Sequence, residues 1–133
     1  MNIAQAVPLL RVADVGRTID WYQRMLGFTG DPFPASPPYE FAILRNGAVE
    51  LMVRRSTPAA RKARQYDWDL YLRFQGNRFR EMADRFGALN VVTRRLEHMP
   101  YGLAEFEITD PDGNVICMGQ NLDDAGDLPV PSA

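Results

Sequence analysis

Two turn signals at matching places in the two halves of the chain constrain its fold more than any other feature. Arg45-Asn46-Gly47 separates apolar runs at residues 39–44 and 48–53. Asp110-Pro111-Asp112-Gly113-Asn114 separates runs at 104–108 and 115–118. Asn and Gly tolerate positive φ and Pro fixes φ, so each stretch predicts a tight turn between paired strands. The same elements recur ahead of each hairpin. Residues 7–12 are apolar apart from Arg11 and predict a buried strand. Asp14 is a candidate N-cap for a helix with Val15, Ile19, Tyr22 and Leu26 as its buried stripe, and Gly27 is its left-handed terminator. In the second half, residues 69–74 predict a strand. Asn77 is the expected cap of a helix that buries Phe79, Met82, Ala83 and Phe86 and closes at Gly87, with a further strand at 89–93.

Between these elements, residues 30–38 contain four prolines and predict a loop. The small and basic stretch 56–66, with Arg61, Lys62 and Arg64, predicts a linker, and the tail from 121 is expected to fray. Each half therefore reads strand, helix, strand, strand, strand. The repeat has a register: Leu10-Arg11-Val12 answers Leu72-Arg73-Phe74, and Val49-Glu50-Leu51 answers Ile116-Cys117-Met118. The organisation expected is module 1 at 5–55, a linker at 56–66, module 2 at 67–120 and a tail at 121–133, all in one domain spanning 1–133.

Strand alternation sorts the side chains into two faces. Leu10, Val12, Leu51, Val53, Leu70, Leu72, Phe106, Ile108, Ile116 and Met118 share an apolar face, which must lie beneath the helices. Leu9, Arg11, Glu50, Met52, Asp69, Tyr71, Arg73, Glu105 and Cys117 share the other. Apolar groups mixed with charges suit a ligand surface better than a purely solvated one. Arg11, Glu50, Arg73 and Glu105 are expected to surround a floor of Leu9, Met52, Tyr71 and Cys117. Phe33 and Trp68 are candidate rim aromatics.

Charge and composition exclude several functions. Fifteen basic against seventeen acidic residues give a net charge of −2, which opposes nucleic-acid binding. No apolar run is long enough for a membrane span. The N-terminal residues lack the pattern of a secretory signal, and a single cysteine excludes an intrachain disulfide, so a cytoplasmic location is expected. A single histidine, His98, excludes any two-histidine site within one chain. His98 is expected on a rim loop. Cys117, with acidic neighbours, is expected to be inert rather than nucleophilic.

Leu10-Arg11-Val12-Ala13-Asp14-Val15, Trp21-Tyr22 before Met25-Leu26-Gly27-Phe28, and the run from Tyr101 to Asn114 carry a resemblance. Over about residues 5–120 the chain resembles the vicinal oxygen chelate superfamily, which includes glyoxalases, extradiol dioxygenases, and fosfomycin- and bleomycin-resistance proteins. The resemblance implies an α+β fold of two βαβββ modules forming an eight-stranded curled sheet, a cup with helices on its convex face, in a homodimer. Family metal ligands fall strand by strand at Val7, Glu50, Asp69 and Cys117. Val7 cannot ligate and none of the four is histidine, so neither metal nor other cofactor is expected. The leading reading is a metal-free small-molecule binding protein like the bleomycin-resistance branch, sequestering a toxic compound without catalysis. Two alternatives are a glyoxalase-like lyase or isomerase with an altered metal site, and a partner-binding homodimer without a small ligand.

Overall fold

A computed structural model describes residues 1–57 and 64–122. Arg61, Lys62 and most of the acidic tail lie outside the described residues. The chain divides into two compact units, Met1–Arg61 and Lys62–Ala133.

The first unit runs β1 (Leu9–Val12), α1 (Val15–Leu26), β2 (Thr29–Phe33), β3 (Phe41–Asn46) and β4 (Val49–Arg55). The second runs β5 (Leu70–Phe74), α2 (Phe79–Ala88), β6 (Val92–His98), β7 (Leu103–Thr109) and β8 (Val115–Asn121). Each is a βαβββ module with its own four-stranded sheet, ordered β1-β4-β3-β2 and β5-β8-β7-β6. The first strand of each module pairs in parallel with the last, and all other pairs are antiparallel. The expected α+β class and paired modules are present, with the eight strands in two four-stranded sheets. No helix among the described residues is long and apolar enough to cross a membrane.

In the first unit, the Asp14 carboxylate accepts from the Arg17 backbone N–H at 3.0 Å, and Gly27 ends α1 at φ 71°. Both signals act as the sequence indicated. The buried stripe is rotated, however: Val15, Thr18, Trp21, Tyr22 and Met25 face the core, whereas Ile19 and Leu26 are half-buried. Thr18 tolerates burial because its hydroxyl donates to the Asp14 carbonyl at 2.9 Å.

The proline-rich stretch is not wholly loop, since residues 29–33 form β2. Pro32 is accommodated because β2 is an edge strand, bonded among the described residues to β3 alone. Gly30 lies beneath Ile19 so closely that a Cβ would come within 2.9 Å of that side chain. The two hairpin turns form as expected, with Gly47 at φ 57° and Gly113 at φ 84°.

The second unit departs from the sequence reading at its helix ends. Arg78, not Asn77, occupies the N-cap and makes no side-chain cap bond. The helix continues through Gly87 to Ala88, and Asn90 takes the left-handed conformation at φ 59°. Consequently β6 begins at Val92 rather than at residue 89, and it carries His98 as its last residue instead of leaving it on a loop. The His98 Nε2 is buried without a hydrogen-bond partner. Beneath α2 the core is aromatic: Phe106 lies 5.3 Å from Phe79 and 6.2 Å from Phe86 between ring centroids. Burying such rings supplies most of what holds a helix to a sheet.

Candidate functional site

Register places the sequence-derived residues in lateral rows. In the first unit Leu9, Met52, Ile43 and Asp31 lie side by side across the sheet, as do Arg11, Arg54, Phe41 and Phe33. Paired residues project to the same face, so Leu9, Arg11, Phe33 and Met52 share one surface. Phe33 is not isolated: its ring is 6.2 Å from Phe41, over which the Arg54 guanidinium sits at 5.5 Å. Alternation along β3 contained the signal for Phe41 and Ile43. Glu50 accepts from Arg45 Nε at 3.0 Å and from the Gln5 amide at 3.3 Å, and Arg45 also reaches Asp31 at 2.9 Å.

The second unit builds a denser arrangement. One row reads Tyr71, Cys117, Glu107 and Arg94, and the next reads Arg73, Gly119, Glu105 and Glu97. On a regular β6, Arg94 and Glu97 would point to opposite faces, being an odd number of residues apart. A register shift between them, with an extra residue on β6, turns both toward the same side. Most of the resulting cluster is buried, with Glu97 at its partly exposed edge. Arg94 is 4% exposed and Glu105 and Glu107 are fully buried.

Arg94 holds the three carboxylates together. Its Nε donates to Glu107 at 2.6 Å, Nη1 to Glu97 at 2.6 Å and Nη2 to Glu105 at 3.1 Å. Longer contacts run from Nη1 to the Met99 sulfur and from Nη2 to Cys117 Sγ. Burial alone would lower the Arg94 pKa, but the bonds to Glu97, Glu105 and Glu107 outweigh it and keep the guanidinium above its ordinary range. At Glu97 the Tyr66 hydroxyl, followed by Arg94, lowers the carboxyl pKa. Burial first, then the Glu105 charge, pushes the Cys117 thiol up, so it stays protonated and is a poor nucleophile or metal ligand.

Aromatic side chains surround the charges. Glu105 Oε2 accepts from the Tyr101 hydroxyl at 2.7 Å and the Tyr71 hydroxyl at 2.9 Å. Trp68 packs edge-on to Tyr71 at 5.3 Å, and Arg73 lies over the Tyr71 ring at 5.5 Å. Trp68 and Tyr101 remain exposed. Tyr71 reaches Glu105 by crossing Gly119, where a Cβ would collide with the phenol. Gly119→Ala is therefore expected to break the Tyr71–Glu105 bond and destabilise the protein by about 1–3 kcal/mol, the usual cost of overpacking. Urea unfolding measures this, and an unchanged midpoint would contradict the packing.

Burial first, then the bond to Glu105, pushes the Tyr101 pKa up to about 12 and shifts Tyr71 in the same direction. Both groups are raised, so the stability they contribute is fully present below the unfolded value of about 10 and is lost as pH rises toward 12. Phenolate absorbance should show Tyr71 and Tyr101 ionising late, and Glu105→Gln should bring them forward. Tyrosines titrating together in wild type and variant would count against the cluster.

The family's metal positions do not fit a metal here. Val7 offers no donor. Glu50 is engaged by Arg45 and Gln5. Asp69 Oδ2 accepts from Arg64 at 2.8 Å and from the Val115 N–H at 2.9 Å. Cys117 is a buried thiol. Among the described residues no group of three or more His, Cys, Asp or Glu is disposed to hold a metal ion. Clefts of about 320 and 300 Å³ open elsewhere, one beside the start of α1 and one between α2 and β6, and neither is lined by the residues picked from sequence.

Sequence reasoning missed Arg94, Glu97, Tyr66, Tyr101 and Gly119. The strand expected at 89–93 stops short of Arg94 and Glu97, and only the bulge reveals which way they point.

Comparison with known proteins places this geometry in context. The chain is similar to the solved structure of TioX from Micromonospora sp. ML1, at 21% identity and a TM-score of 0.67, covering 98% of this chain and all of that one. It is similar to a bleomycin-binding protein solved with bleomycin, at 21% identity and a TM-score of 0.63, covering 90% of this chain and 99% of that one. A third relative is the fosfomycin resistance protein FosX from Listeria monocytogenes, at 13% identity and a TM-score of 0.67, covering 91% of this chain and 95% of that one. No curated protein matches the sequence. Residues 3–118 match the Glyoxalase/Bleomycin resistance protein/Dioxygenase superfamily, and the chain belongs to that family.

Proposed function

We propose that the protein binds a small organic molecule without a metal ion, and that binding rather than catalysis is its function. One observation carries this reading: the donor positions of the family metal site are filled by groups that are apolar, protonated or already engaged. The aromatic surround of the second unit supports it. Trp68, Tyr71 and Tyr101 border a cluster with three carboxylates and one guanidinium, which suits a flat ligand with polar substituents. A purely hydrocarbon ligand suits it badly, because the half-buried Glu97 carboxylate would lose water without gaining a partner. The similarity to a bleomycin-binding protein points toward a toxic or antibiotic compound as ligand. In this reading the protein acts as a homodimer, which sedimentation would show as a species heavier than the 15.1 kDa chain.

A thermal-shift screen against antibiotics and thiol conjugates tests the reading, since a ligand selective for the native state raises Tm by mass action. Stabilisation by one compound class is the expected result. Elemental analysis of protein purified without chelator tests the alternative of a glyoxalase-like enzyme. A stoichiometric Zn, Ni, Mn or Fe signal that disappears in Glu50→Gln would overturn metal-free binding.

A further inference from the structure

Tyr66 is held in an unusual way. Its backbone is left-handed, at φ 64°, a conformation that disfavours a bulky side chain. Three contacts keep it there. Its N–H donates to the Glu107 carboxylate at 3.1 Å, its ring lies 4.2 Å over the Arg94 guanidinium, and its hydroxyl donates to Glu97 at 2.6 Å. Yet among the described residues Tyr66 is 53% exposed, so core formation does not account for the arrangement.

The Arg94 donors decide what else this place can hold. They are spent in the guanidinium plane on Glu97, Glu105, Glu107, Met99 and Cys117. A guanidinium without a spare N–H cannot take a carboxylate or phosphate by its edge. It offers only its flat face, which attracts aromatic rings. Tyr66 covers that face now. Beside it Glu97 supplies an acceptor, and the cluster holds three carboxylates to one guanidinium, so an anionic group would be repelled.

We infer that the Tyr66 phenol is a resident stand-in for the ligand, and that the ligand displaces it to stack a flat ring on Arg94 and donate a hydrogen bond to Glu97. The class this specifies is a planar aromatic or heteroaromatic ring bearing an O–H or N–H donor and no carboxylate. Tyr66 is then a specificity-determining residue, since a compound must outcompete its stacking and hydrogen bond together. This inference rests on the small-molecule reading above and deepens it.

Isothermal titration of the full chain with three probes tests it: 2-naphthol, 2-methoxynaphthalene, which lacks the donor, and 2-naphthoate, which is anionic. Tyr66→Gly removes the ring and suits the positive φ, so the backbone keeps its path. Tyr66→Phe keeps the ring and frees it from Glu97. Affinity for 2-naphthol is expected to rise about tenfold in Tyr66→Gly, the size of one stacking contact, and by less in Tyr66→Phe. 2-Methoxynaphthalene, which can stack but not donate, should gain less than 2-naphthol, and 2-naphthoate should gain nothing. Equal affinity for 2-naphthol in all three proteins overturns the inference while leaving small-molecule binding intact. A gain shared by 2-naphthoate overturns the stated ligand class. Absence of 2-naphthol binding from every protein overturns the inference as well, and the thermal-shift screen then judges the broader reading independently.

Discussion

Replacing Arg94 with methionine is expected to destabilise the protein by about 3–5 kcal/mol, the cost of leaving buried charges without their partner. Glu105 and Glu107 are fully buried and both are bonded to this one guanidinium. Glu105 also lies directly across from Glu97 on the neighbouring strand, a like-charged pair that repels unless a cation stands between them. Methionine preserves much of the volume, so the loss reports charge rather than cavity. Adding Glu105→Gln and Glu107→Gln to the variant should recover a large part of the loss, because the charges needing a partner are then gone. Urea unfolding of the single and triple variants measures both effects. A loss below about 1 kcal/mol, the range of an exposed ion pair, would mean that water reaches the cluster.

Asp110→Ala is expected to cost about 2–4 kcal/mol, because it orphans more than one nearly buried donor. The residue is 4% exposed. Its Oδ1 accepts from the Asp112 and Asn114 backbone N–H groups, each at 2.9 Å, and its Oδ2 accepts from the Asn114 side chain at 3.0 Å. These bonds tie the β7–β8 turn to its own strand ends. Asp110→Asn keeps an oxygen for the two backbone donors and should lose clearly less. Thermal unfolding of the pair gives the comparison, and equal losses would show that the backbone bonds are not what the side chain contributes.

That turn also marks how much of the molecule is written locally in the sequence. Gly113, Gly47, the Asp14 cap and the Gly27 terminator are settled by neighbours in the chain, and each was readable. The apolar alternation that placed Leu51, Val53, Phe106 and Ile116 against the helices was equally readable, because a regular strand has period two. Reading failed where tertiary context overrides local preference. Pro32 argued against a strand, yet an edge position removes the objection. Ile19 leans over Gly30, so the buried face of α1 is rotated from its most apolar stripe. The candidate site shows the same division. Tyr71, Arg73, Glu105 and Cys117 were brought to one face by alternation, whereas Arg94 and Glu97 join them only through a bulge, which has no counterpart in a two-residue period. The residue that holds the site together was therefore the one that pattern alone did not find.

Metal-free ligand binding separates the proposed function from the glyoxalase-like alternative. The most direct measurement takes the compound giving the largest thermal shift and titrates it calorimetrically into protein as purified, after chelator treatment, and after adding back a divalent cation. One Kd in all three is expected, with the affinity altered by substitutions at Tyr101 or Trp68. Binding that disappears on chelation and returns with Zn²⁺, Mn²⁺ or Ni²⁺ would contradict metal-free binding.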